Sequence, residues 1–275
     1  MGKSSSLRSA GQYNANYGNF QTDLYAQIRH EAFGEDIGQN SWLTADEQDR
    51  FLQWLDLSQG KNLLDVACGA GGPALRIAAT TGCSVVGIDV HEQAIRTASS
   101  LASQRGLAGR AEFRAVDATA ALPFPDASFD AVICIDAINH FPDRSRVVAE
   151  WTRLLKPEGR LLFTDPITLT GALTNAEIAV RSSAGFYLFV PNGYDEGVIK
   201  RCGLQLLACE DVTANMAKVA EARRAARASR STALREMEEH ETYDDQQEFL
   251  AVAARVAREG RLSRFVYVSQ KAGRF

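Results

Sequence analysis

Asp65, Asp89 and Asp117 each close a short apolar run: Asp65 in LLDVACGAGG, Asp89 in SVVGIDV and Asp117 in AEFRAVDA. Runs of this kind, separated by stretches with helical periodicity, read as buried strands of a parallel sheet, so the three carboxylates are expected at the ends of neighbouring strands. Gly69, Gly71 and Gly72 follow the first run and open a helix. Glycines between a strand and a helix let a ligand approach the backbone at the carboxyl edge of the sheet. The stretch GAGGPA satisfies the dinucleotide pattern G-x-G-x-x-G/A, and Asp89 lies 20 residues past Gly69, near the ribose-binding acid of that pattern. Asp65 argues for a different ligand. A negative charge just before the turn is badly placed beside a pyrophosphate and well placed for a cation. A carboxylate at 89 can accept from both hydroxyls of a ribose, and one at 117 from an exocyclic amine. Three acids so arranged describe a ligand with an ammonium, a sugar diol and an aminopurine.

His140, in DAINHFPD, is the leading candidate for a general base, since it falls just past the fourth apolar run and histidine titrates nearest neutrality. The competing reading is a histidine that only caps the next helix. His30, His91 and His240 are weaker candidates, His91 being expected at an exposed helix start. Tyr17 and Trp42 are lid candidates, although Trp42 equally reads as packing of an N-terminal helix on the core. SSAGFYLFVPNGY places Phe186, Tyr187, Phe189 and Tyr194 after the fifth strand, where they suit a greasy or aromatic acceptor, or core packing, on different faces. Asp136 and Asp165 end neighbouring strands, but a hard cation wants more oxygen ligands than the sequence offers, so no metal is expected. The basic stretch 218–230 and the acidic stretch 236–248 read as exposed helix faces.

The elements that must position these groups alternate. NLLDVA, SVVGIDV, AEFRAVDA and FDAVICIDA read as strands; PALRIAATTG, HEQAIRTASSLASQRG and RSRVVAEWTRLL read as helices. LPFPDAS is a loop, with two prolines in four residues. Thr44 with Glu47 three residues on makes a capping box before FLQWL. KPEGRLLFTD is a turn and a strand, and the regular pattern stops at Pro166. GYDEGVIKRCG, LQLLACEDV and LSRFVYVSQK read as a helix, a strand and a closing strand, with a strongly helical insertion over 213–260. Residues 1–18 are expected to form a flexible tail. The formal charge of -4 offers no basic surplus for nucleic acid, and no apolar run approaches the roughly 20 residues of a membrane helix. Five scattered cysteines read as thiols in a reducing cytoplasm.

With these motifs in this order, the chain resembles the class I S-adenosylmethionine-dependent methyltransferases, and most closely those acting on small molecules of the ubiquinone, tocopherol and sterol type. LLDVACGAGG, VVGIDV, AVDATAALPFPDASFDAVICIDAINHFPD and LLKPEGRLLFTD carry the resemblance, over roughly residues 61–166. It implies an α/β fold with a seven-stranded, mostly parallel Rossmann-like sheet whose last strand is antiparallel, plus helical covers. A single domain over 19–275 follows, with a cofactor core at 61–166 and covers at 167–194 and 213–260. The implied cofactor is S-adenosyl-L-methionine. The methionine part would meet Asp65, Ala67, Gly69 and Gly71, the ribose Asp89, the adenine Val90, Asp117 and Ala118, and the sulfur end Ile135 and Asp136. Tyr17 and Trp42 would close the site, and Asn139, Phe186 and Tyr187 would face the acceptor. The function implied is methyl transfer to O, N or C of a small apolar or aromatic molecule by a monomer or homodimer without nucleic-acid or membrane partners. The rival readings are a non-catalytic protein that binds the same nucleoside, an NAD-dependent oxidoreductase resting on GAGGPA alone, and a nucleic-acid methyltransferase. Against the last stands IDAIN, which lacks the two prolines and the aromatic of an N/D-P-P-Y/F motif.

Overall fold

A computed structural model of the chain describes residues 17–183, 185–238 and 240–273. Of the tail expected over 1–18, only Tyr17 and Gly18 fall within the described residues, and they belong to a helical turn. The alternating pattern is realised as strands β1 (Asn62–Val66), β2 (Ser84–Asp89), β3 (Ala111–Ala115), β4 (Phe129–Cys134) and β5 (Leu155–Leu169), all parallel. Between them run α3 (Gly72–Thr81), α4 (Glu92–Gln104) and α5 (Arg144–Leu154). The N-terminal segment supplies α1 (Asp23–Phe33) and α2 (Ala45–Leu52). Past β5 follow α6 (Asn175–Arg181), the two-residue β6 (Val190–Pro191), α7 (Tyr194–Arg201) and β7 (Leu204–Asp211). The helical insertion is α8 (Thr213–Ala228), α9 (Ser231–Met237) and α10 (His240–Arg258), and β8 (Leu262–Lys271) closes the chain.

The sheet order is β3-β2-β1-β4-β5-β8-β7, with β6 paired to β5 off that path. The main path has the seven strands expected, β6 makes an eighth, and β8 is antiparallel to both its neighbours. Chain order reverses between β1 and β4, which opens a crevice at the carboxyl ends of these strands. Consecutive residues of β1 feed opposite sides of the sheet: Leu63 packs with Leu75, Val85 and Ile95, while Leu64 packs with Phe129, Val148 and Trp151. Burial on both faces is why the strands read as continuous apolar runs. Register then decides where the acids emerge. Asp65 pairs with Gly87 and Ile133, and Asp89 with Ala115, so the strand ends lie level.

Two local expectations are corrected. β5 does not stop at Pro166 but runs to Leu169, because the register against β8 shifts between Asp165 and Thr168 and the imino acid sits in that irregularity, where no ladder hydrogen bond is asked of it. Thr44 does cap α2 by accepting the Glu47 N–H at 3.3 Å, yet the Glu47 carboxylate turns to Arg264 instead of completing the box. Cys68, Cys83 and Cys134 are buried thiols, whereas Cys209 is exposed. No helix among the described residues is long and apolar enough to cross a membrane.

Candidate active site

The glycine loop is shaped as much by the protein as by any ligand. Gly69 (φ +55°) borders a cavity of about 480 Å³, and a Cβ there would lie 3.1 Å from the Tyr17 hydroxyl. Gly71 (φ +76°) does not line the cavity. Its Cβ would fall 2.7 Å from Ala98 and 2.8 Å from Phe113, so it is small because α4 and β3 pack on it. At Gly72 a Cβ would meet the carbonyl oxygens of Ile37 and Gly38 at 2.2 and 2.3 Å. The N-terminal segment lies directly on the loop.

All three predicted aspartates line this one cavity. Asp65 is 4% exposed, and burial, then the charge of Asp89, push its carboxyl up to about 8. Asp89 accepts from the Gly69 N–H through Oδ2 at 2.9 Å and from the His91 N–H through Oδ1 at 2.9 Å, with His91 Nδ1 also 2.9 Å from Oδ1. Asp117 is exposed and spends Oδ1 on the Thr119 N–H and hydroxyl, at 2.9 and 2.7 Å. Ala67, Val90, Ala118 and Ile135 are on the wall as well, and Tyr17 covers it, its hydroxyl sharing a hydrogen bond with Asn40.

At the end of β4, Asp136 (φ +54°) also lines the cavity and is heavily committed. Its Oδ2 accepts from the Trp42 N–H at 2.8 Å, and its Oδ1 from the Thr164 hydroxyl and from Arg264 Nε, both at 2.7 Å. Arg264 is fully buried, and its Nη1 donates to Glu47 Oε2 at 2.7 Å. Trp42 is corrected: its backbone amide touches the site through Asp136, but its ring is stacked with Phe249 in the cover and does not line the cavity.

His140 ends a 3₁₀ turn, Ile138–His140, and lines the same cavity with Phe141 and Phe186. Its Nδ1 is 3.0 Å from the Phe186 carbonyl oxygen. A carbonyl only accepts, so this contact keeps the proton on Nδ1 and leaves the lone pair on Nε2. Burial pushes the imidazole below its ordinary range, which favours its neutral form. Phe186 is 53% exposed beside it, the setting for an apolar group. Tyr187 and Asn139 do not line the cavity. Tyr187 sets its ring edge-on to His140 at 4.7 Å and packs toward the core around Ile167, and Asn139 is buried.

Comparison with known proteins shows the family. Residues 64–163 match the family model described as a methyltransferase domain. The 27-O-demethylrifamycin SV methyltransferase of Amycolatopsis mediterranei is 31% identical over 203 residues, which are 70% of this chain and 74% of that protein. The chain belongs to the S-adenosylmethionine-dependent methyltransferases. The sterol 24-C-methyltransferase ERG6B of Gibberella zeae is 34% identical over 212 residues, 72% of this chain and 54% of its own length. The solved cyclopropane synthase MmaA2 of Mycobacterium tuberculosis shares the fold with a TM-score of 0.80 at 18% identity, over 94% of this chain and 97% of that one.

For a methyltransferase the residues present fit the cofactor. The cavity offers a backbone stripped of a side chain at Gly69, a buried acid at Asp65 suited to a cationic group, and further acids on adjacent strand ends. Sequence reasoning missed Asn40, Ser41 and Thr119, and it put His91, a weaker base candidate, at an exposed helix start, whereas all four line the cavity wall. His91 had a signal, since it stands two residues past a strand-ending acid and at the N-cap of α4, within reach of that acid. Asp136 and Asp165 are spent on Arg264 and Arg144. Among the described residues no cluster of three or more His, Cys, Asp or Glu is arranged for a metal ion.

Proposed function

We propose that this chain transfers the methyl group of S-adenosylmethionine to a small apolar or aromatic acceptor. A hydroxyl is the acceptor atom that the site favours over nitrogen or carbon. One observation carries the reading: Asp65, Asp89 and Asp117, from three adjacent strand ends, line one cavity together with His140 and Phe186. When bound, the cofactor supplies a methyl group already activated on sulfonium sulfur. The chain then has to position the acceptor, exclude water and move one proton. Asp65 and the backbone at Ala67 and Gly69 hold the ammonium end, with Gly71 shaping the turn. Asp89 holds the ribose, Val90, Asp117 and Ala118 hold the adenine, and Ile135 and Asp136 border the sulfur. Tyr17 closes the loop side. His140 Nε2 takes the acceptor proton, and Phe186 covers the acceptor. Residues 19–275 act as one unit, with 61–166 as the cofactor core and 167–194 and 213–260 as covers. The relatives are named for a rifamycin O-methylation and a sterol C-methylation, which supports an apolar acceptor and leaves the atom to be read from His140.

Calorimetry with S-adenosylhomocysteine tests the cofactor half. Binding with a Kd in the micromolar range is expected for the wild type, and Asp89→Ala should weaken it by about tenfold or more, the loss of one or two hydrogen bonds to a charged group. Undetectable wild-type binding, or an unchanged Kd in Asp89→Ala, overturns the assignment.

A further inference from the structure

The turn that carries His140 faces a strap, residues 185–191, and the two are stitched together by contacts that converge on a buried arginine. The Leu188 N–H donates to the Asn139 carbonyl at 2.8 Å, one residue before the histidine. The Phe186 carbonyl receives His140 Nδ1, and the Tyr187 ring stands edge-on to the imidazole. The far side of the strap is held by Arg144, whose Nη2 donates to the Leu188 carbonyl at 2.8 Å. Arg144 is the first residue of α5 and fully buried. Its Nη1 is fixed by Asp165 Oδ2 at 2.7 Å and by both oxygens of Asp195 at 2.9 and 2.7 Å. Beyond Leu188, Val190 and Pro191 pair with Thr168 and Leu169 of β5. A guanidinium gripped by acids from β5 and α7 is a rigid peg, and a lysine at the same place would lack the second nitrogen that reaches Leu188.

We propose that Arg144 is a positioning residue for methyl transfer: by holding the Leu188 carbonyl it sets the strap whose Phe186 carbonyl keeps the His140 proton on Nδ1 and leaves Nε2 to act as base. This rests on the reading of His140 given above. In the step it serves, the acceptor oxygen forms a bond to the methyl carbon, the carbon–sulfur bond breaks with its electron pair going to sulfur, and the acceptor proton passes to Nε2. The imidazolium then releases a proton to water. Charged or titratable groups that act on the imidazole include Asp89 and His91 on the cavity wall and Tyr187 on the strap.

The test is ¹⁵N NMR of the histidine-labelled full chain, together with kinetics on Arg144→Lys. Wild-type His140 should show the Nδ1–H tautomer, and Nε2–H there would overturn the proposal without any variant. In Arg144→Lys the tautomer should become mixed, and kcat with an apolar alcohol acceptor should fall about tenfold, a fraction of the 10²–10⁴ a base supplies. Its Kd for S-adenosylhomocysteine should stay within twofold. A folded Arg144→Lys with unchanged tautomer and unchanged kcat overturns the proposal. If that variant does not fold, Asp195→Asn, which retains the Asp165 pair, should show the same tautomer shift to a smaller degree, and its absence counts equally against the role. Full activity in His140→Ala would sink the base reading and with it the part of Arg144 in methyl transfer, an outcome that the tautomer measurement separates from failure of the Arg144 link itself.

Discussion

At the scale of single residues, Asp65 is the informative group. Burial and a neighbouring acid raise its carboxyl to about 8, so at pH 7 most molecules without ligand carry it protonated. A bound ammonium favours the ionised form, and on the proposed assignment cofactor binding therefore expels a proton. The expected release is close to one proton at pH 6–7, with affinity dropping up to tenfold for each pH unit below 8. Calorimetry in buffers of different ionisation enthalpy measures it, and Asp65→Asn should abolish it; equal proton release in both proteins would remove Asp65 from the cation site. The stability sign is opposite. A raised carboxyl pKa contributes stability that is full below the unfolded value near 4 and is lost as pH rises through about 8. The ligand-free wild type should thus lose more Tm between pH 5 and pH 8 than Asp65→Asn does. Asp65, Asp89 and Asp117 were legible because strand ends in a parallel sheet converge and apolar runs reveal strands. Trp42 and Tyr187 were not, because the faces their rings choose depend on Phe249, from the far cover, and on His140, from another loop.

At the scale of elements, strand and helix identity followed from apolar periodicity, and the seven-strand path with its antiparallel last strand agreed with the resemblance. What misled was punctuation. Pro166 reads as a strand end, yet a register shift absorbs it. The glycine loop misleads in another way, since its pattern suggests three positions cleared for a ligand while two are cleared for protein. Gly72 shows this, because every atom within 2.6 Å of its added Cβ is backbone of residues 37 and 38, which cannot rotate aside. Gly72→Ala should cost about 1–3 kcal/mol, the usual price of overpacking, by lifting the N-terminal segment off the loop. Urea denaturation should show a lower midpoint with an unchanged slope. S-adenosylhomocysteine affinity should fall as well, since Gly38, Asn40 and Ser41 on that segment line the cavity. An unaltered midpoint would mean that the segment does not bear on the loop in solution.

At the scale of the whole molecule, regions distant in sequence meet at Arg264. Its side chain joins Glu47 of α2 to Asp136 at the end of β4, and its backbone N–H donates to the Thr213 hydroxyl at the start of α8. N-terminal cover, sheet and helical insertion are thus pinned at one buried cation. None of this was legible, because Glu47 satisfies a local capping pattern and its remote partner leaves no periodic trace. Two carboxylates depend on one guanidinium here, and burial already pushes Glu47 above its ordinary range. Removing the cation strands both acids in a medium that cannot solvate them, and breaking a buried pair from one side costs about 3–5 kcal/mol. Arg264→Met should lose that much at pH 7.5 by urea denaturation. Glu47, already pushed up by burial, can escape by taking up a proton, so the deficit should shrink as pH falls to 5, and adding Glu47→Gln to Arg264→Met should recover part of it at pH 7.5. A deficit independent of pH would mean that Arg264 contributes packing alone, and that the covers are held to the sheet by their apolar faces.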